Sequence, residues 1–226
     1  MRPRFPLIVL NFKTYAEALG ARAVELAKTA DKVSAETGVE VMVCPPLTEL
    51  RTVAGQVGVG VLAQHCDPYV AGPYTGAVVA EALKEAGAVG SLLNHSEKKM
   101  RLSEISASLV RLRENGLISL VCADDPNASA AVAAMGPDIV AVEPPELIGT
   151  GVSVSTSKPE VVSDTVRRVR SVSPGVHVLC GAGVSRPEDV SRALELGAEG
   201  VLVSSAYVKS RDPAALLNEL CRAALI

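Results

Sequence analysis

The chain has 226 residues, 48% of them hydrophobic and 21% charged, with a formal net charge of -3. That apolar content excludes a disordered chain, and the acidic balance lacks the basic excess that a nucleic-acid backbone demands, so no nucleic-acid partner is expected. The apolar stretch nearest the N-terminus covers only residues 7–10, far short of the ~18 residues of a membrane span, and no small-residue cleavage site follows it. The expectation is a soluble, cytoplasmic protein that does not associate with membranes.

In chain order, eight short apolar runs alternate with longer segments of helical spacing. The runs cover residues 7–10, 39–44, 59–63, 89–93, 117–123, 139–142, 176–180 and 200–203. The helical segments that follow them cover 16–36, 47–56, 78–86, 103–115, 126–134, 159–171, 186–196 and 213–224. Several helices open on a cap residue or on proline at the first turn, as in Asp212-Pro213, and several close on glycine, at Gly38, Gly87, Gly116 and Gly197. The scarcity of aromatic residues and the absence of Trp leave Val, Leu, Ile and Ala to build the core, which suits parallel strands buried on both faces. Five cysteines, with no CxxC pair and several inside apolar runs, read as reduced, mostly buried thiols.

Strand-helix alternation repeated eight times, with right-handed crossovers, predicts an α/β protein: a single eightfold β/α barrel over residues 1–226. An open doubly wound sheet is the competing arrangement. A GxGxxG fingerprint after the first run would favour it, but the first run is followed by Asn11-Phe12-Lys13-Thr14. No composition break or Ser/Pro-rich linker marks a second domain. Shared among eight units, the length gives about 28 residues each, so the helices and loops must be trimmed.

Chemistry on such a barrel sits where strands run into the following loops. Glu143 ends the sixth run and precedes Pro144-Pro145, which pushes it into an extended conformation. A surface carboxylate is the ordinary reading there. However, residues 144–151 have a stiff start, an apolar middle and a glycine end, as a hinged lid needs. A carboxylate desolvated under a lid is a candidate general base. His95 lies between the fourth run and its helix. A helix-start amide donating to one ring nitrogen would keep the imidazole neutral and leave the other nitrogen as a donor to a carbonyl, although a lone loop histidine is as often structural. Glu97 reads equally as a helix-start carboxylate or as a support for the site. Lys13, after Asn11, is either a surface lysine or a cation facing phosphate-type turns. Those turns are Gly149-Thr150-Gly151, Gly181-Ala182-Gly183 and Ser204-Ser205-Ala206, and barrels often bind phosphate after strands seven and eight.

With these motifs together, the sequence resembles the triosephosphate isomerases, and in particular their short archaeal form. The resemblance runs from Asn11-Phe12-Lys13 through Gln64, Tyr74-Thr75-Gly76 and Asn94-His95-Ser96-Glu97. It continues through Val142-Glu143-Pro144-Pro145-Glu146-Leu147-Ile148-Gly149-Thr150-Gly151 to Cys180-Gly181-Ala182-Gly183 and Ser204-Ser205. It implies interconversion of dihydroxyacetone phosphate and glyceraldehyde 3-phosphate, a small phosphorylated triose, with no cofactor and no metal. Glu143 would move the proton, His95 would donate to the carbonyl oxygens, and Lys13 and Asn11 would supply charge and positioning, with Glu97 beside them. Ile148, Gly149, Gly183, Ser204 and Ser205 would hold the phosphate through backbone N–H groups. This division of labour is a known pattern of pKa tuning in that family.

Three departures from the longer family members stand out: Pro145-Glu146 in place of Val-Trp in the lid, Gly183 in place of serine, and Ser204-Ser205 in place of two glycines. Without Trp, Pro144-Pro145 and Leu147 are expected to fix the start of the lid. The 64–76 loop, with Tyr69, Tyr74 and Thr75, reads on its own as a surface loop. The resemblance implies a homo-oligomer in which it inserts into a second copy, a dimer that pairs into a tetramer. Two other readings remain open: another phosphosugar isomerase on a barrel, and a barrel that binds a phosphate ligand without catalysis, in which Glu143 would not matter.

Overall fold

The structure is a computed structural model that describes residues 3–225. Eight strands follow the apolar runs to within a residue: β1 (Leu7–Asn11), β2 (Glu40–Cys44), β3 (Gly60–Ala63), β4 (Gly90–Leu93), β5 (Ile118–Ala123), β6 (Ile139–Val142), β7 (His177–Cys180) and β8 (Gly200–Val203). Each pairs in parallel with its neighbours in sequence, and β8 returns to β1 in the register Leu7↔Gly200 to Leu10↔Val203, so the sheet is closed. Closure removes every sheet edge.

Successive side chains on a strand point to opposite faces, so the apolar runs feed two cores. Leu7 and Val9 join Met42, Leu62, Leu92, Leu120 and Leu179 in one cluster, inside the barrel. Ile8 and Leu10 join Val41, Val121, Val140 and Val201 in another, which packs under the helices. This is why the strands read as continuous apolar runs rather than as alternation.

The helices are α1 (Ala21–Thr37), α2 (Leu50–Ala54), α3 (Ala80–Glu85), α4 (Leu102–Glu114), α5 (Pro126–Ala133), α6 (Val154–Ser157), α7 (Pro159–Val172), α8 (Pro187–Glu195), α9 (Ser205–Val208) and α10 (Pro213–Ala224). Local chemistry explains their starts. Asp125 Oδ1 accepts the Asn127 and Ala128 amides at 2.7 and 2.8 Å ahead of α5, and Asp212 does the same for Ala215 at 2.9 Å ahead of α10. The expected helix over 16–36 is instead a 3-10 turn, Ala16–Ala18, followed by α1, with the break at Leu19-Gly20. The second and third helices are shorter than their periodicity suggests. Glu49 N–H closes a turn onto the Pro46 carbonyl before α2, and both backbone groups of Val78 are taken by Asp67 before α3. Two short helices, α6 and α9, carried no periodic signal at all. Among the described residues no helix is long and apolar enough to cross a membrane.

Leu120 is fully buried in the inner cluster. Leu120→Ala is expected to lower the free energy of unfolding by ~2–5 kcal/mol, as for other core truncations. Urea denaturation measures this, and a loss under ~1 kcal/mol would contradict a packed barrel interior.

Candidate active site

Nine of the ten candidate residues line one cavity of about 290 Å³ at the strand ends: Asn11, Lys13, His95, Glu143, Ile148, Gly149, Gly183, Ser204 and Ser205. Glu97 stands behind it, lining a neighbouring cavity of about 310 Å³ and reaching Lys13.

Glu143 follows β6 and is only 3% exposed. Its amide extends the sheet ladder to Ala123 O at 2.8 Å, which aims the side chain inward. Burial pushes its pKa above the ordinary glutamate value; His95, the neighbouring Cys122 thiol and Lys13 pull the other way. Its Oε2 is buried and has no hydrogen-bond partner among the described residues. Gly181 sits so close that a Cβ there would lie 2.4 Å from Glu143 Cγ.

His95 is also buried. Its Nδ1 accepts the Glu97 N–H at 3.2 Å, which assigns the ring proton to Nε2. The amide was expected from the start of a helix, but α4 begins only at Leu102, and residues 95–98 form a tight turn closed by Lys98 N–H to His95 O at 2.8 Å. Glu97 is therefore not a helix-start carboxylate. Its Oε1 pairs with Lys13 Nζ at 2.8 Å. His95 Nε2 lies 3.8 Å from Glu143 Oε2, too far for a hydrogen bond, so both groups face the cavity rather than each other.

Lys13 has a left-handed backbone, φ 48°, which costs a non-glycine residue ~1–3 kcal/mol and persists only where neighbours enforce it. Two neighbours do. The Lys13 N–H donates to Asn11 Oδ1 at 2.9 Å, and the Lys13 carbonyl accepts from Gln64 Nε2 at 2.8 Å. Asn11 thus lines the cavity and sets the direction of Lys13 at once. Neither Gln64 nor Cys122 was singled out for a site role from sequence. Gln64 lies 51 residues from Lys13 and gives no local signal, whereas Cys122 falls on the inward-facing alternation of β5.

Opposite these groups stand the turns. Pro145–Leu147 form a 3-10 turn at the start of the lid, and Leu147 and Ile148 pack on the outer core, so the prolines and Leu147 do anchor the segment. Glu146, on the lid, forms an ion pair with Lys158 at the foot of α7. Gly183 has φ 70°, and a Cβ there would lie 1.9 Å from the Val152 carbonyl oxygen, so no other residue fits. Ser204 has a negative φ, -137°, outside the left-handed region, and it leads into α9, whose first amides have no partner within the helix. Its hydroxyl oxygen is buried with no partner among the described residues. Among the described residues no group of three or more His, Cys, Asp or Glu side chains is placed to hold a metal ion.

Comparison with known proteins agrees with this arrangement. The chain is 54% identical to a triosephosphate isomerase of Methanothermus fervidus over 95% of its own length and 97% of that protein. It is 51% identical to one from Methanosarcina barkeri over 96% and 98%. A crystal structure of triosephosphate isomerase from Bartonella henselae superposes with a TM-score of 0.76 at 21% identity, over 99% of both chains, and so shares the fold. The family model described as triosephosphate isomerase matches residues 6–224, and the chain belongs to that family.

Proposed function

We propose that this chain interconverts dihydroxyacetone phosphate and D-glyceraldehyde 3-phosphate by proton transfer through an enediolate, without metal or cofactor, in the cytoplasm. The observation that carries the reading is the buried Glu143 Oε2, without a partner among the described residues, facing the same small cavity as a histidine N–H. A binding protein has no use for a desolvated carboxylate with a free oxygen, because it costs stability and repels a phosphorylated ligand. A base needs that oxygen free and its pKa raised toward the working pH. The cavity, about 290 Å³, is at the small end of ligand sites and suits a three-carbon phosphate.

In this reading Glu143 takes the proton from the carbon next to the carbonyl and returns it to the neighbouring carbon. His95 Nε2–H donates to the oxygens that gain charge, and because its Nδ1 is occupied by the Glu97 amide the ring acts as a neutral donor. Lys13, held by Asn11, Gln64 and Glu97, supplies fixed positive charge beside the enediolate. Backbone N–H groups of Ile148, Gly149, Gly183, Ser204 and Ser205 take the phosphate, and the free Ser204 hydroxyl adds a donor where longer relatives have glycine. Closure of the lid over residues 144–151 excludes water, which strengthens these interactions and prevents loss of phosphate from the intermediate.

Isomerase activity on glyceraldehyde 3-phosphate, assayed without added metal or nucleotide, tests the reading. Glu143→Ala is expected to abolish turnover while a phosphate-containing inhibitor still binds, and His95→Gln to lower kcat by ~100-fold or more, the scale of a lost oxyanion donor. Normal turnover in the first variant, or a change confined to KM in the second, would overturn the assignment.

We also propose that the protein works as a homo-oligomer, a dimer paired into a tetramer, assembled through the 64–76 loop. Asp67 clamps the foot of that loop, accepting Val78 N–H at 2.7 Å and pairing with His65 at 3.0 Å. At its tip Tyr69 and Tyr74 stack at 4.3 Å yet remain exposed, as does Val70. An ordered loop with an exposed aromatic tip fits insertion into a partner. The 310 Å³ cavity behind Lys13 and His95 is open to receive such a tip and supports this reading. Light scattering on Tyr74→Asp is expected to show monomers with reduced activity, and an unchanged assembly would contradict the proposal.

A further inference from the structure

Two acidic side chains are buried among the described residues, Glu143 and Asp189, and the mechanism above uses only the first. Asp189 is 6% exposed and is the third residue of α8. Its Oδ2 accepts the backbone N–H groups of Ser185 and Arg186, both at 3.0 Å, which end the turn that follows β7. A residue that merely starts a helix would stop there. Asp189 also faces α6, the segment directly after the lid. Its Oδ1 lies 3.4 Å from the Thr156 hydroxyl, whose one proton is shared with the Ser153 carbonyl at 3.2 Å, and its backbone carbonyl accepts the buried Ser155 hydroxyl at 2.8 Å.

The two segments are sealed along the rest of their contact. Val154 N–H donates to Ala182 O at 3.0 Å, and the Ser153 and Ser155 hydroxyls pair at 2.9 Å. Beside them Gly183 leaves no room for a Cβ against Val152. A buried carboxylate is stable when its oxygens are filled by hydrogen-bond donors, and here those donors come from both sides of one seam.

We propose that Asp189 is a positioning residue for the phosphate end of the substrate: it ties the turn at residues 181–185 to the foot of the lid, so that amides reaching the phosphate from both are held as one unit. The proposal rests on the reading of Gly183 and the lid as the phosphate grip. Asp189 makes no hydrogen bond to Glu143, His95 or Lys13, so its removal acts on how the phosphate is held rather than on proton transfer. Binding energy from a remote phosphate is what raises the rate at the reacting carbons.

The readout is the ratio of kcat/KM for glyceraldehyde 3-phosphate to kcat/KM for phosphate-free glyceraldehyde. Being a ratio, it does not depend on how much of a variant folds. In Asp189→Ala it is expected to fall ~10-fold or more, on the scale of a misplaced binding group. Asp189→Asn, which keeps an oxygen facing the two amides, is expected to stay within ~3-fold of the parent. An unchanged ratio in Asp189→Ala, including an equal loss on both substrates, would overturn the proposal, as would an Asn variant that falls as far as Ala. Gly183→Ala separates the two ideas. If its ratio collapses while that of Asp189→Ala holds, only the positioning role fails; if Gly183→Ala keeps the parent ratio, the phosphate grip itself is misassigned and the proposal falls with it.

Discussion

A buried carboxylate, one of whose oxygens has no hydrogen-bond partner among the described residues, is the feature around which the site is arranged. Glu143 is carried to the mouth of the barrel by β6, turned inward by its place on the sheet ladder, and crowded by Gly181. Burial raises its pKa, so the folded state holds a proton there more tightly than the unfolded chain does. The sign follows: that contribution to stability is present below the unfolded pKa and is lost as pH rises through the folded one. Once ionised, the base is a load on the fold, and the closed barrel with its two apolar cores offsets it.

The same logic extends to Lys13 and His95. A left-handed lysine backbone is unfavourable on its own, yet Asn11 and Gln64 hold it from two sides, and Glu97 fixes the ammonium. The imidazole is fixed by one amide, which decides which nitrogen carries its proton. Lys13 and His95 are therefore each placed by a neighbour that lines the cavity behind them. Gln64 comes from β3's end and Glu97 from the turn after β4. The barrel contributes by bringing the ends of distant strands to one rim.

How much of this was legible in the sequence follows from which interactions are local. The strands were readable because each is an apolar run bounded by polar or turn residues, and all eight fall within a residue of expectation. Helix length was less readable, since α3 is shortened by the hold of Asp67 on Val78, a contact between loop and helix. Glu143, His95 and Lys13 could be singled out because each follows a strand end. Glu97 could not be settled locally: its partner Lys13 is 84 residues away, and the helix it seemed to start begins later. The need for glycine at position 183 arises from the Val152 carbonyl across the seam, a contact that no local sequence pattern displays.

Desolvation of Glu143 underlies the proposed chemistry, and titration of that one carboxyl group tests it most directly. With carbon-13 in the glutamate side chains and Glu143→Gln used to assign the signal, the Glu143 carboxyl of the free protein should titrate above the ordinary glutamate value of 4.5. A midpoint at or below 4.5 would mean that the carboxylate is stabilised in the fold, and would contradict its role as a base held ready by burial.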